Sequence, residues 1–138
     1  MTGTVRTLCE ETREKIFTRM EEIVKHVTGM HSGSYELERV RGWPPLINHG
    51  RMVDVVSEVC RNTLGENSVI LLDKPMMGGE DFAYYLKKIP GAFFWLGCGS
   101  KQKGLTAMLH NSRFEPDEDA LIVGTAMHVN LACHFLSL

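Results

Sequence analysis

No regular element can run through Trp43-Pro44-Pro45. Pro45 has no backbone N–H to donate, and each proline pushes the residue before it into extended geometry. Residues 42–49 therefore read as a hinge.

Ahead of the hinge, residues 4–7 read as a short strand. Thr7 followed by Glu10 has the capping-box spacing that starts a helix just beyond it. Ile16, Met20, Ile23, Val24 and Val27 then share one helical face, and Gly29 is placed to end the helix. Residues 34–40 alternate like a strand exposed on one side. One helix and two strands over residues 3–41 are few for an independent core.

Beyond the hinge, Met52, Val55, Val56, Val59, Cys60 and Thr63 trace a second amphipathic helix closed by Gly65. Residues 68–72 form a short apolar run of the kind found in buried strands. Gly78-Gly79 opens a third helix near Asp81 that ends around Ile89, Pro90-Gly91 turns the chain, and residues 92–96 are a further buried strand. The acids of residues 115–119 suit the start of a terminal helix, where the peptide dipoles favour negative charge. Helix and strand in alternation make the expected class α/β.

A chain of 138 residues, 43% of them apolar, has the means to bury a core and reads as globular. Fifteen Lys and Arg oppose seventeen Asp and Glu, and the signs alternate along the chain, so nucleic acid is not an expected partner. Cys9, Cys60, Cys98 and Cys133 are scattered, with no metal-ribbon spacing and no signal-peptide pattern ahead of them, which predicts reduced thiols and a cytoplasmic location. Residues 120–138 carry no Lys, Arg, Asp or Glu. Because Gly124, Thr125, His128, Asn130 and His134 interrupt that run, the expectation is a buried terminal helix and no membrane partner. His128 and His134 lie about 240° apart around a helix and do not converge on one ion.

Two stretches carry chemistry: Pro75-Met76-Met77-Gly78-Gly79-Glu80-Asp81-Phe82-Ala83-Tyr84-Tyr85-Leu86 and Leu109-His110-Asn111-Ser112-Arg113-Phe114. A glycine pair leading into acids and an amphipathic segment permits close approach of backbone to a ligand, and amides at a helix start suit a carboxylate. The same glycines equally serve a plain strand-to-helix turn. Glu80 and Asp81 are explained as well by the helix dipole, worth about 0.3–1 kcal/mol, as by a direct role. His110, in a short polar loop, is either a metal ligand or a loop histidine with ordinary hydrogen bonds, and one imidazole does not make a metal site.

Together with Gly3-Thr4-Val5-Arg6-Thr7, Arg41-Gly42-Trp43-Pro44-Pro45-Leu46-Ile47-Asn48 and Pro90-Gly91-Ala92-Phe93-Phe94, these stretches resemble the zinc-dependent amidohydrolases and exopeptidases that include hippurate hydrolase, N-acyl-amino-acid amidohydrolase and the auxin-conjugate (IAA-amino acid) hydrolases. The resemblance covers essentially the whole chain but only the family's C-terminal portion. It implies the C-terminal part of a zinc-exopeptidase-like α/β catalytic domain, residues 48–138, preceded by half of a ferredoxin-like α+β lid that mediates dimerisation, residues 1–47. It implies His110 as a metal ligand and Arg6 as the group that grips a substrate carboxylate, for which two parallel guanidinium hydrogen bonds are suited. Gly78, Gly79 and Glu80 join Arg6 in the implied substrate-binding set.

The implied reaction is hydrolysis of the amide of an N-acyl amino acid, hippurate-like or auxin-conjugate-like, by water activated on a divalent metal, zinc or manganese. The family's cysteine-glycine-histidine-aspartate motif, its paired glutamates and its middle ligand histidine are missing from this sequence. No general base is therefore assigned to any residue of this chain. The 138 residues alone are expected to be inactive and to hold no metal tightly, with a second copy or the missing N-terminal half as partner. The rival expectation is a non-catalytic dimerisation module that pairs through exposed edges.

Overall fold

A computed structural model describes residues 1–136 of the chain. Among the described residues there are four α-helices, α1 (Glu10–Met30), α2 (Gly50–Leu64), α3 (Ala83–Leu86) and α4 (Asp119–Leu136), with a 3-10 turn at Glu66–Ser68. Two compact units share the chain. The first joins Met1–Ile47 to Leu72–Pro90, and the second joins Asn48–Leu71 to the chain from Gly91 onward.

In the first unit, α1 starts at Glu10, later than a Thr7 N-cap would set it, and not by a capping box. Cys9 is the N-cap with no side-chain cap bond, and the Thr7 hydroxyl donates instead to the Cys9 carbonyl at 2.9 Å. The Glu10 carboxylate is taken by the Arg13 guanidinium one turn along. The helix ends at Met30, one residue past Gly29. Ser32, at φ 51, and not a glycine, adopts the left-handed conformation of the closing turn.

The apolar face of α1 is not a core. Met20, Ile23 and Val27 are all exposed, and the one buried residue of the helix is Arg13. Arg13 is tolerated there because its guanidinium donates to the Trp43 carbonyl at 2.9 Å as well as to Glu10. The third helix is shorter than expected, a single turn at Ala83–Leu86 where residues 81–89 were predicted. Ala83 and Leu86 are its buried positions.

In the second unit α2 packs on α4, and the buried apolar side chains are Val59 and Met127. Gly65, at φ 98, ends α2 as its position implies. The terminal helix is present but not buried: Met127 alone is buried, while Leu121, Ile122, Val129 and Phe135 are exposed. By length and composition, with a mean hydropathy of 1.2, α4 is long and apolar enough to cross a membrane. The last two residues of the charge-free run from 120 lie outside the described residues.

The predicted strands at 4–7, 34–40, 68–72 and 92–96 do not form among the described residues; the one β contact is an isolated bridge between Ser100 and Leu105. The physical reason is that alternation and short apolar runs report a surface that wants covering, whereas a strand exists only when a neighbour takes its N–H and C=O groups. At Phe93 a side chain does part of that work. Its N–H donates to Asn48 Oδ1 and its carbonyl accepts from Asn48 Nδ2, both at 2.8 Å. Next to it the His49 N–H donates to the Gly91 carbonyl at 3.1 Å, and the Gly91 N–H donates to His49 Nδ1 at 3.2 Å.

Candidate functional site

Within the first unit, three segments distant in sequence meet around the Trp43 indole. The Arg6 guanidinium donates through Nη1 to the Met77 carbonyl at 3.0 Å, which ties the first residues of the chain to the run ahead of the glycine pair. A Cβ built on Gly79 would lie 2.8 Å from Trp43 Cε3 and 3.6 Å from Arg6 Nη1. Residue 79 thus has to be glycine for the backbone to lie this close to the ring, and the close approach expected of the pair is made to Trp43. Gly78 has open space around its Cβ position.

Glu80 is half-buried, and its carbonyl accepts from the Ala83 N–H at 3.3 Å. The amides of residues 84–86 are likewise used inside their own turn. With only one helical turn following, the summed dipole expected of a longer helix is not available to a carboxylate at Gly78-Gly79.

Charge surrounds this cluster. Arg13, held on the Trp43 carbonyl, pairs with Glu10, and Arg41 and Lys87 each approach a Glu10 oxygen to 3.7 Å. Farther along α1, a hydrogen bond from Arg39 holds the Glu14 carboxyl below the usual carboxylate range, and the same guanidinium lies 4.4 Å over the Phe17 ring. The Cys9 thiol is lowered from its ordinary value, first by its hydrogen bond with the Thr12 hydroxyl.

His110 belongs to the second unit. It is exposed and occupies the third position of a turn closed by the Asn111 N–H on the Met108 carbonyl at 3.2 Å. Its φ of 65 is left-handed, a conformation that costs a side-chain-bearing residue roughly 1–2 kcal/mol. Asn111 builds the next turn, accepting from the Arg113 N–H through Oδ1 and from the Phe114 N–H through its carbonyl, both at 2.9 Å. The polar loop expected from the sequence is therefore a pair of linked turns that present the imidazole to solvent.

No three His, Cys, Asp or Glu side chains are placed to share an ion among the described residues. His110 is one donor where a catalytic zinc takes three protein ligands. The residues present do not by themselves fit a complete metal centre, and no reaction step is routed through one.

Arg6 and Gly79 are thus brought together, with Gly78 beside them. The sequence places Trp43 in the hinge and does not show that its ring joins Arg6 to the glycine pair. Its position before Pro44-Pro45 signals a break but says nothing about what the ring touches.

A profile of the peptidase family M20/M25/M40 matches residues 4–134. The chain belongs to this family. It is 36% identical over 124 residues to a Synechocystis protein named a probable hydrolase, covering 90% of this chain and 32% of that protein. It is 33% identical over 136 residues to thermostable carboxypeptidase 1 of Saccharolobus solfataricus, covering 98% of this chain and 34% of the relative. It is also 33% identical over 120 residues to N-acetyldiaminopimelate deacetylase of Lactococcus lactis, covering 86% and 30%. The chain spans about a third of the length of these relatives.

The M20 family is a group of hydrolases and peptidases, amidohydrolases among them, that generally depend on metal. The family fits an α/β exopeptidase-like fold, whereas the described residues of this chain are helical, with no strand among them.

Proposed function

We propose that the chain contributes to a metal-dependent amidohydrolase that cleaves the amide bond of N-acyl amino acids, hippurate-like or auxin-conjugate-like, and that the 138 residues alone do not turn over. The observation that carries this reading is the Arg6 guanidinium beside the Gly79–Trp43 contact. It sets a fork suited to a carboxylate next to exposed backbone and an aromatic face. The relatives' names support it. A carboxypeptidase and a deacetylase of an N-acetylated amino acid both act at an amide beside an amino acid.

In this reading residues 1–47 are half of a ferredoxin-like lid and residues 48–138 a segment of the catalytic domain. Arg6, Gly78, Gly79 and Glu80 bind substrate. His110 is one ligand of a zinc or manganese ion whose other donors, like the general base, come from outside this chain. Four free cysteines support a reducing cytoplasm. The alternating charges support small-molecule rather than nucleic-acid partners, and the polar breaks in α4 support a protein-facing rather than lipid-facing surface.

Binding of hippurate to the purified chain, followed by NMR, tests the carboxylate grip. Hippurate should bind, benzamide, which has no carboxylate, should not, and Arg6→Gln should lose at least tenfold in affinity. Equal binding of hippurate and benzamide would sink the assignment of Arg6. Zinc- or manganese-dependent hydrolysis of hippurate by the chain alone, abolished in His110→Ala, would overturn its inactivity.

A second reading, a non-catalytic dimerisation module, is favoured by the exposed Met20, Ile23 and Val27 on one face of α1. A discrete dimer by solution mass, broken by Ile23→Glu, supports it. A monomer at all concentrations removes it.

A further inference from the structure

The Glu10 carboxylate is the meeting point of three cations from three parts of the first unit. Arg13 comes from the same helix, Arg41 from the segment ahead of the prolines, and Lys87 from the end of α3. Three positive charges against one negative leave a surplus of two.

The three cations are not equivalent. Arg13 has a side chain only 9% exposed and is held by Glu10 and the Trp43 carbonyl, so its donors are committed to the protein. Arg41 and Lys87 are 75% and 54% exposed, and at 3.7 Å each forms a loose pair with one oxygen of the shared carboxylate. One carboxylate thus has a solvent-facing cation at each oxygen, Arg41 at Oε2 and Lys87 at Oε1, and does not neutralise both. Like charges gathered around one carboxylate repel, and a further anion between them relieves the repulsion.

We infer that Arg41 and Lys87 form a binding site for a dianionic oxyanion, a phosphate group or a dicarboxylate, on the face of the first unit around Glu10, whose charge competes with the anion for the two cations. The chemistry fits. Guanidinium offers a planar fork to two oxygens, ammonium offers a compact point charge to a third, and a dianion matches the surplus. The proposal uses residues other than Arg6 and does not depend on the hydrolase reading.

The test uses the 138-residue chain, titrated with inorganic phosphate, succinate and acetate at constant ionic strength against chloride and followed by NMR shifts of the Arg41 and Lys87 segments. Phosphate or succinate should saturate, the tighter of the two showing which oxyanion geometry the site prefers, and acetate should bind at least tenfold more weakly. Arg41→Gln with Lys87→Gln should lose binding about tenfold or more, while Lys74→Gln, on an exposed lysine outside the cluster, should change nothing. Glu10→Gln decides between a site and an ordinary surface ion-pair network. Removing the carboxylate's charge raises the surplus to three, so anion affinity should increase severalfold. Shifts that do not saturate, equal responses in the double variant, or unchanged or weaker binding in Glu10→Gln would each overturn the inference.

Discussion

Gly79 lies against Trp43 so closely that a methyl group on residue 79 would sit 2.8 Å from ring carbon Cε3. Carbon atoms do not pack at that distance, so the ring has to move if residue 79 gains a side chain. Because Trp43 is 54% exposed, the ring has room to swing outward instead of disrupting a core. Gly79→Ala should therefore cost about 1 kcal/mol, the low end of overpacking penalties. It should also shift the Trp43 fluorescence, read in a Trp95→Phe background, and weaken the Arg6 bond to Met77. Gly78→Ala, with open space at its Cβ position, should do neither.

Asn48 stands in for a strand partner at Phe93, with both groups of its side-chain amide in use. Asn48→Ala removes two hydrogen bonds at a part-buried position and should cost about 1–3 kcal/mol in a urea midpoint measurement. Asn48→Asp keeps the acceptor for the Phe93 N–H but turns an oxygen toward the Phe93 carbonyl. It should be at least as destabilising as Ala, and a variant as stable as the parent would show that the amide pairing contributes nothing.

Lys103 closes the 100–105 turn onto the start of α4, donating to Asp117 Oδ1 and Asp119 Oδ2, both at 2.6 Å. Hydrogen bonding from Lys103 holds the Asp117 carboxyl below its ordinary value, and bonds to Asp117 and Asp119 push the Lys103 ammonium up. Asp117 is depressed on folding, so its contribution is present above the unfolded value of about 4 and is lost as pH falls through the lower folded value. Lys103 is raised, so its contribution is present below about 10.4 and is lost as pH climbs through the higher folded value. Stability should be flat with respect to this clip between those limits and decline beyond both. Lys103→Met should flatten both declines in pH-dependent melting, and an unaltered acid limb would refute the assignment to Asp117.

The left-handed backbone at His110 separates folding from function at one residue. His110→Gly should stabilise the chain by up to about 1 kcal/mol, because glycine adopts positive φ without the Cβ penalty. His110→Val should destabilise it, since a β-branched side chain is the least suited to that region. If His110→Gly melts earlier than the parent, the imidazole contributes contacts that outweigh its backbone cost.

Gly124 on α4 approaches Leu96 Cδ2, which would lie 2.9 Å from an added Cβ. Here the opposing atom is the end of a flexible side chain, and alanine gains about 1 kcal/mol of helix propensity over glycine. Gly124→Ala should be close to neutral in thermal midpoint, whereas Gly124→Leu should destabilise clearly.

What the sequence determined alone is local or compositional. The break at Trp43-Pro44-Pro45, the existence of α1, the closing of α2 at Gly65 and the placement of acids at the start of α4 follow from proline and glycine stereochemistry and from helical periodicity, none of which needs a distant partner. Family membership was legible for the same reason, since it rests on residues read in order along the chain. Tertiary structure decided the rest. Alternation over residues 34–40 and the apolar run at 92–96 state that a surface wants cover, but a β-ladder forms only when another strand is there to pair, and none is present among the described residues. The meeting of Arg6, Trp43 and Gly79, and of Arg41 and Lys87 on Glu10, joins segments whose separation along the chain carries no trace of their distance in space.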